Sequence, residues 1–266
     1  MLKYILKKQN NQNMIGEVQK KIAFCFLIYD TINNESLWND FFNKVNRQKY
    51  QIHIHYKFNK SMKFFDKYKL DNTIETKYGD ISLVHAQNLL IKEALKDKSI
   101  THIIFLSNSC IPVKSFDHVY NFLDINKSYF NKSPDHQVFP KCDSIKKYVS
   151  ETNIKKGAQW CILNRKHAEV IVNNEQYLDY FKDICAADEN VYITTLYDQN
   201  LSNELILTNN ISLNATTFIN WSDMDYKYID HEGLKTYNTI SKEEMNLIKQ
   251  SKSLFARKFN INFSIK

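Results

Sequence analysis

A chain of 266 residues, 43% hydrophobic and 24% charged, is long enough to bury a large core and too apolar for wholesale disorder. Its 4 Gly and 3 Pro exclude collagen-like and Pro-rich architectures, while 17 Phe and 16 Tyr supply bulk for packing. The formal charge of +7 rests on lysine: Arg47, Arg165 and Arg257 are the only arginines, so the bidentate chemistry of a nucleic-acid reader is missing and no nucleic-acid partner is expected.

Residues 1–20 form a polar, Lys/Asn-rich arm without the apolar stretch of a signal peptide. Lys21–Tyr29 is rich in β-formers and too short for a helix, so it predicts a buried strand. It holds the longest apolar run, Ile22 to Tyr29, well under the roughly 20 residues that cross a bilayer. No membrane span is expected, and cytoplasm is the default location. Residues 34–46 carry Leu37, Trp38, Phe41, Phe42 and Val45 at helical spacing. Tyr50–Tyr56 alternates with period two and predicts a second strand, and Thr73–Lys77 a short extended piece.

Residues 81–96 predict an amphipathic helix with Leu83, Ala86, Leu90 and Ala94 on one face. Thr101–Ser107 predicts a third buried strand, followed by a helix over Ser115–Asp124 with Ser115 as its N-cap. Beyond a polar stretch come strand Ala158–Leu163, helices Arg165–Asn173 and Asp188–Leu196, strand Ala215–Trp221 and helix Lys242–Lys249. Strands alternating with helices imply an α/β fold with a mostly parallel, Rossmann-like central sheet flanked by helices. With no repeat or linker, residues 21–266 read as one domain. Five well-separated cysteines without a C-x-x-C pair read as reduced thiols rather than a zinc ribbon or disulfide framework.

Ligands of such folds sit outside the carboxyl ends of the strands. The chain offers Asp30, Lys57, Asn108-Ser109-Cys110 and Asn164-Arg165 there. It has no G-x-G-x-x-G, Walker A, G-x-S-x-G or H-E-x-x-H pattern, which removes the usual dinucleotide enzymes, P-loop kinases, serine hydrolases and zincins.

Eight segments, in order, resemble one family. Ile22–Leu27 and Tyr50–His55 resemble its first two strands. Tyr78–Ala86 resembles W-G-x-x-S-x-V-x-A, Phe105–Pro112 contains L-S-x-x-C-I-P, and Lys156–Trp160 resembles K-G-S-Q-W. Ala187–Asn190 stands where D-E-H is common, Thr217–Ser222 where T-x-V-D-W-S is common, and Leu254–Phe259 reads L-F-A-R-K-F. The family comprises the core-2/I-branching β-1,6-N-acetylglucosaminyltransferases, the peptide O-xylosyltransferases and their plant relatives; this chain is most similar to the plant-type branch.

The resemblance implies a GT-A type, inverting, metal-independent glycosyltransferase that moves N-acetylglucosamine or xylose from a UDP-sugar to an acceptor hydroxyl on a glycan or glycoprotein. It makes Glu189 the catalytic base and Lys258, with Arg257 beside it, the diphosphate clamp. It puts the nucleotide near Asp30 and His55, and Gln159, Trp160, Asp188 and Trp221 along the donor and acceptor cleft. No cofactor or metal is implied. Many relatives are anchored in the Golgi.

The chemistry of these residue types agrees with those roles. Inverting transfer needs one base for the acceptor proton and positive charge where the leaving β-phosphate gains negative charge. Hard cations want carboxylate oxygens, and Ser109-Cys110 offers none where an acidic D-x-D stands in metal-dependent relatives. Asp223-Met224-Asp225 has the D-x-D form but reads as a solvated turn. His53 and His55 share a strand face; packing explains the first. Departures at Tyr78, Asn190 and Asn220, and the missing His-Pro near Ile229–Glu232, keep open a second reading: a non-catalytic nucleotide- or sugar-binding module.

Overall fold

The computed structural model describes residues 19–209 and 212–266. The expected N-terminal arm therefore lies outside the described residues, except for Gln19 and Lys20. The central sheet holds β1 (Ile22–Ile28), β2 (Tyr50–Tyr56), β3 (His102–Ser107), β5 (Ser128–Lys132), β6 (Ile162–Asn164) and β7 (Leu205–Asn209), in the order β2-β1-β3-β6-β5-β7. A short β4 (Ile111–Pro112) joins a second sheet, described below. Pairings β1–β2, β1–β3 and β5–β7 are parallel, whereas β6 runs antiparallel to both its neighbours. The α/β class and the mostly parallel sheet stand as expected.

β1 explains the layering. It is buried along its whole length, and its alternate side chains feed two cores. Ala23, Cys25 and Leu27 pack with Val84, Ala86, Leu90 and Ala94 of helix α2 (Ser82–Leu95). Phe24 and Phe26 face the other way, onto Trp38, Phe41 and Phe42 of helix α1 (Glu35–Phe42) and onto Phe116. The rings meet edge-on, Phe24 and Phe42 at 4.9 Å and Phe26 and Trp38 at 5.0 Å. The indole N–H of Trp38 donates to the Cys110 carbonyl at 3.0 Å, tying α1 to the end of β3.

Side chains close the helix N-termini that the sequence marks. Ser115 accepts from the His118 N–H at the start of α3 (Phe116–Phe122), and Asn164 from the His167 N–H at α4 (Arg165–Asn173). Helices α5 (Gln176–Phe181) and α6 (Val191–Asp198) complete the first core. Beyond them, β4, β10 (Phe255–Arg257) and β8 (Thr217–Ile219) form the three-stranded sheet. Strands β9 (Tyr237–Ile240) and β11 (Phe259–Ile265) pair beside helix α7 (Lys242–Gln250), around a third core. Among the described residues no helix is long and apolar enough to cross a membrane.

Several elements differ from expectation. The strand expected over Ala158–Leu163 shrinks to β6, and Thr73–Lys77 stays outside any sheet. The helix expected from Asp188 begins as a 3-10 turn, Ala187–Glu189, before α6. Strand β5 falls within the stretch read only as polar. Its Ser128 and Asn131 are fully buried because their polar atoms are satisfied internally. Asn131 Oδ1 accepts from the Thr216 N–H and hydroxyl and the Thr208 hydroxyl, and its Nδ2 donates to the Thr217 carbonyl.

Candidate active site

Three connections converge where the parallel strands end. The Asn33 N–H donates to the Asn108 carbonyl at 2.9 Å, and the Asn33 side-chain amide donates to the Phe259 carbonyl at 2.8 Å. The Phe259 N–H in turn donates to the Ser109 carbonyl at 2.9 Å. The β1–α1 loop, the end of β3 and the β10–β11 junction are thereby stitched together. Arg257 and Lys258 are delivered beside Ser107–Cys110, the place where the chain has no carboxylate.

Arg257 lays its guanidinium over the Trp160 ring, 4.7 Å from the centroid. Burial pushes its pKa down, while Cys110, Tyr78, Asp188 and Glu189, which face it, oppose that shift. Its Nε is buried without a hydrogen-bond partner. The Lys258 pKa is also lowered, first by burial and then by the Arg257 charge.

Opposite stands the turn that carries the two acids. Gly79, at φ +71°, accepts at its carbonyl from the Ala186 N–H at 2.7 Å. A Cβ there would be strained by that backbone and would lie 3.4 Å from Cys185 Sγ. This contact explains why a Tyr-Gly block sits so far along the chain from the residues it helps to place. Ala186 is itself left-handed, at φ +54°, and the Glu189 N–H returns to its carbonyl at 3.1 Å.

Asp188 is largely enclosed, and its Oδ1 has no partner. Burial, followed by the neighbouring Glu189 charge, raises its pKa to about 6 against the pull of Lys141 and Arg257. Glu189 stays reachable, its side chain 35% exposed, with Oε2 3.4 Å from Lys156 Nζ. Gln159, which precedes Trp160 in the chain, has a buried Nε2 without a partner.

The remaining expected residues fall into two groups. Asp30 lies at the end of β1, bonded to the Thr31 N–H and 3.5 Å from Lys60. His55 is wholly buried; its Nε2 accepts from the Ile74 N–H at 3.1 Å, and burial lowers its pKa to about 4. Trp221 packs on the first core and bridges to Leu234. The departures at Asn190 and Asn220 are structural clasps. Asn190 donates to the Lys155 carbonyl at 2.9 Å, and Asn220 joins Tyr237 to His231.

Arg165 and Asn164 are corrections. Because β6 runs antiparallel, they emerge at the opposite edge of the sheet. There Arg165 donates to the Leu95, Asp97 and Ile100 carbonyls at the end of α2. The sequence reading also passed over Tyr29 and Phe58, exposed at 57% and 50% and edge-on at 4.9 Å, directly after β1 and β2. Their position after a strand was the available signal. Asp223 and Asp225 are exposed around a buried Met224. Among the described residues no group of three His, Cys, Asp or Glu side chains could hold a metal.

The fold and this arrangement define an α/β chain with two acids facing Arg257, and Lys258 next to it, outside the strand ends. Comparison with known proteins then places it. The model of the Core-2/I-Branching enzyme family matches residues 22–249, and the chain belongs to that family. It is 27% identical over 176 residues to Glycosyltransferase BC10 of Oryza sativa subsp. japonica, an alignment covering 62% of this chain. That alignment takes in 43% of the relative, so the chain matches less than half of its length. Among solved structures it is similar to a glycosyltransferase involved in glycosylation of the major capsid of PBCV-1 (TM-score 0.45, 9% identity, covering 89% of this chain and 92% of that one). It is also similar to the galactosyltransferase LgtC in complex with donor and acceptor sugar analogs (TM-score 0.46, 6% identity, 88% and 86%).

Proposed function

We propose that the chain is a GT-A type, inverting, metal-independent glycosyltransferase, moving N-acetylglucosamine or xylose from a UDP-sugar to an acceptor hydroxyl. The observation that carries this reading is the Asp188–Glu189 turn set toward Arg257, with Lys258 beside a β3 end that carries no carboxylate.

In the proposed reaction Glu189 takes the proton of the acceptor hydroxyl as its oxygen attacks the anomeric carbon. The bond to the β-phosphate oxygen breaks on the opposite face of the sugar, inverting that centre. The electron pair leaves with UDP, and Arg257 and Lys258 meet the developing charge, the first as a fork and the second as a point charge. Buried Arg257 Nε, Asp188 Oδ1 and Gln159 Nε2 are polar atoms awaiting partners, as a sugar diphosphate would supply.

The test is a thermal-shift series with UDP, UDP-N-acetylglucosamine, UDP-xylose, UDP-glucose and UDP-glucuronate, each with and without EDTA, followed by UDP-release assays. A donor that raises the melting point and releases UDP in EDTA supports the reading. Binding without any UDP release favours the non-catalytic module, and turnover abolished by EDTA favours a metal-dependent transferase.

A further inference from the structure

We propose that Lys156 is a positioning residue for Glu189, fixing the orientation of its carboxylate. This rests on the reading of Glu189 as the base.

Two consecutive residues grip Glu189, one by its side chain and one by its backbone. Lys156 Nζ lies 3.4 Å from Glu189 Oε2, and its side chain is only 22% exposed. The Gly157 N–H donates to the Glu189 carbonyl at 2.8 Å. The gripping segment is itself anchored to the sheet: the Lys156 carbonyl accepts from the Ser133 N–H at 2.9 Å, and Gly157 bridges to Lys132. Gly157 is wedged there, since a Cβ would come within 3.1 Å of the Asn131 carbonyl oxygen.

The cations around the acids are divided. Lys141 reaches the Ala186 carbonyl and Asn190 Oδ1, both at 3.4 Å, and faces Asp188. Arg257 stacks on Trp160 and faces both acids. Lys156 forms its ion pair with Glu189. Asp188 is enclosed, with Oδ1 unpartnered, and burial raises its pKa to about 6. Lys156 thus fixes where the Glu189 carboxylate points when the acceptor arrives.

The experiment compares wild type, Lys156→Met, Lys156→Arg and Glu189→Gln in the full chain. UDP release from UDP-N-acetylglucosamine and UDP-xylose gives kcat and donor KM, calorimetry gives the UDP dissociation constant, and thermal melting checks folding. Lys156→Met is expected to lower kcat at least tenfold while donor KM and UDP affinity stay within twofold, and Lys156→Arg to recover most of kcat. An unchanged kcat in Lys156→Met overturns the inference. So does a matching loss of UDP affinity, which would make Lys156 part of the phosphate clamp, or a Lys156→Arg protein as slow as Lys156→Met. A Glu189→Gln protein as active as wild type, or a wild type that releases no UDP, defeats the reading of the base itself, a result separate from any of these.

Discussion

Two polar clusters in this molecule look alike on paper and differ in the respect that matters for chemistry. One is Ser128, His167 and Glu204: the Ser128 hydroxyl lies 2.7 Å from His167 Nδ1, and His167 Nε2 lies 3.1 Å from Glu204 Oε2. A Ser–His–acid chain is present, with the two ring nitrogens exchanged relative to a hydrolase triad. Yet Ser128 and His167 are fully buried, and the Ser128 hydroxyl already accepts from the Asn164 N–H at 2.8 Å. The other cluster, Asp188, Glu189, Gln159, Arg257 and Lys258, keeps polar atoms without partners and leaves Glu189 open. The first cluster is satisfied internally and fastens β5 to α4; the second is where the proposed chemistry is placed.

The contrast breaks most visibly at Glu189, the proposed base. Glu189→Gln is expected to cut transfer by about a thousandfold, within the range for a lost general base, with the melting point unchanged. Ser128→Ala should do the reverse. It is expected to cost about 1–3 kcal/mol of stability, read by denaturant unfolding, because the buried Asn164 N–H loses its acceptor, while turnover per folded molecule stays the same.

Acid distinguishes scaffold from site in a second way. Burial lowers His55 and His102 from the ordinary 6.5 to about 4, so each is accommodated as the neutral ring. Their contribution is fully present above pH 6.5 and is lost as pH falls toward 4, up to about 3 kcal/mol each. Chemical denaturation at pH 7 and pH 4 should show that loss, and His102→Gln should reduce it. The smallest expected effect is that of Asp223→Asn with Asp225→Asn: UDP release unaltered, with or without EDTA, since both acids sit on an exposed turn.

How far the sequence foretold this division follows from where each signal resides. β1, β2 and α4 carry their patterns locally, and their bounds match the expectations to within a residue. β5 was invisible because its buried Ser128 and Asn131 owe their burial to partners 36 and 85 residues away. The direction of β6 is a property of the pairing and not of Ile162–Asn164, which is why Arg165 was assigned to the wrong edge. Glu189 and Arg257 came from the family resemblance; no periodicity or spacing marks them. Lys156 stood within a recognised block, but its ion pair with residue 189 is a fact of the fold alone.

The division of labour between acids and cations is tested most directly by titrating UDP into wild type, Glu189→Gln and Lys258→Ala by calorimetry, in EDTA. Wild type and Glu189→Gln should bind UDP equally, and Lys258→Ala about tenfold more weakly, the loss of one charge-assisted contact. Equal affinity in all three proteins, or binding that appears only when a divalent cation replaces EDTA, would contradict the phosphate clamp and the metal-free site built on it.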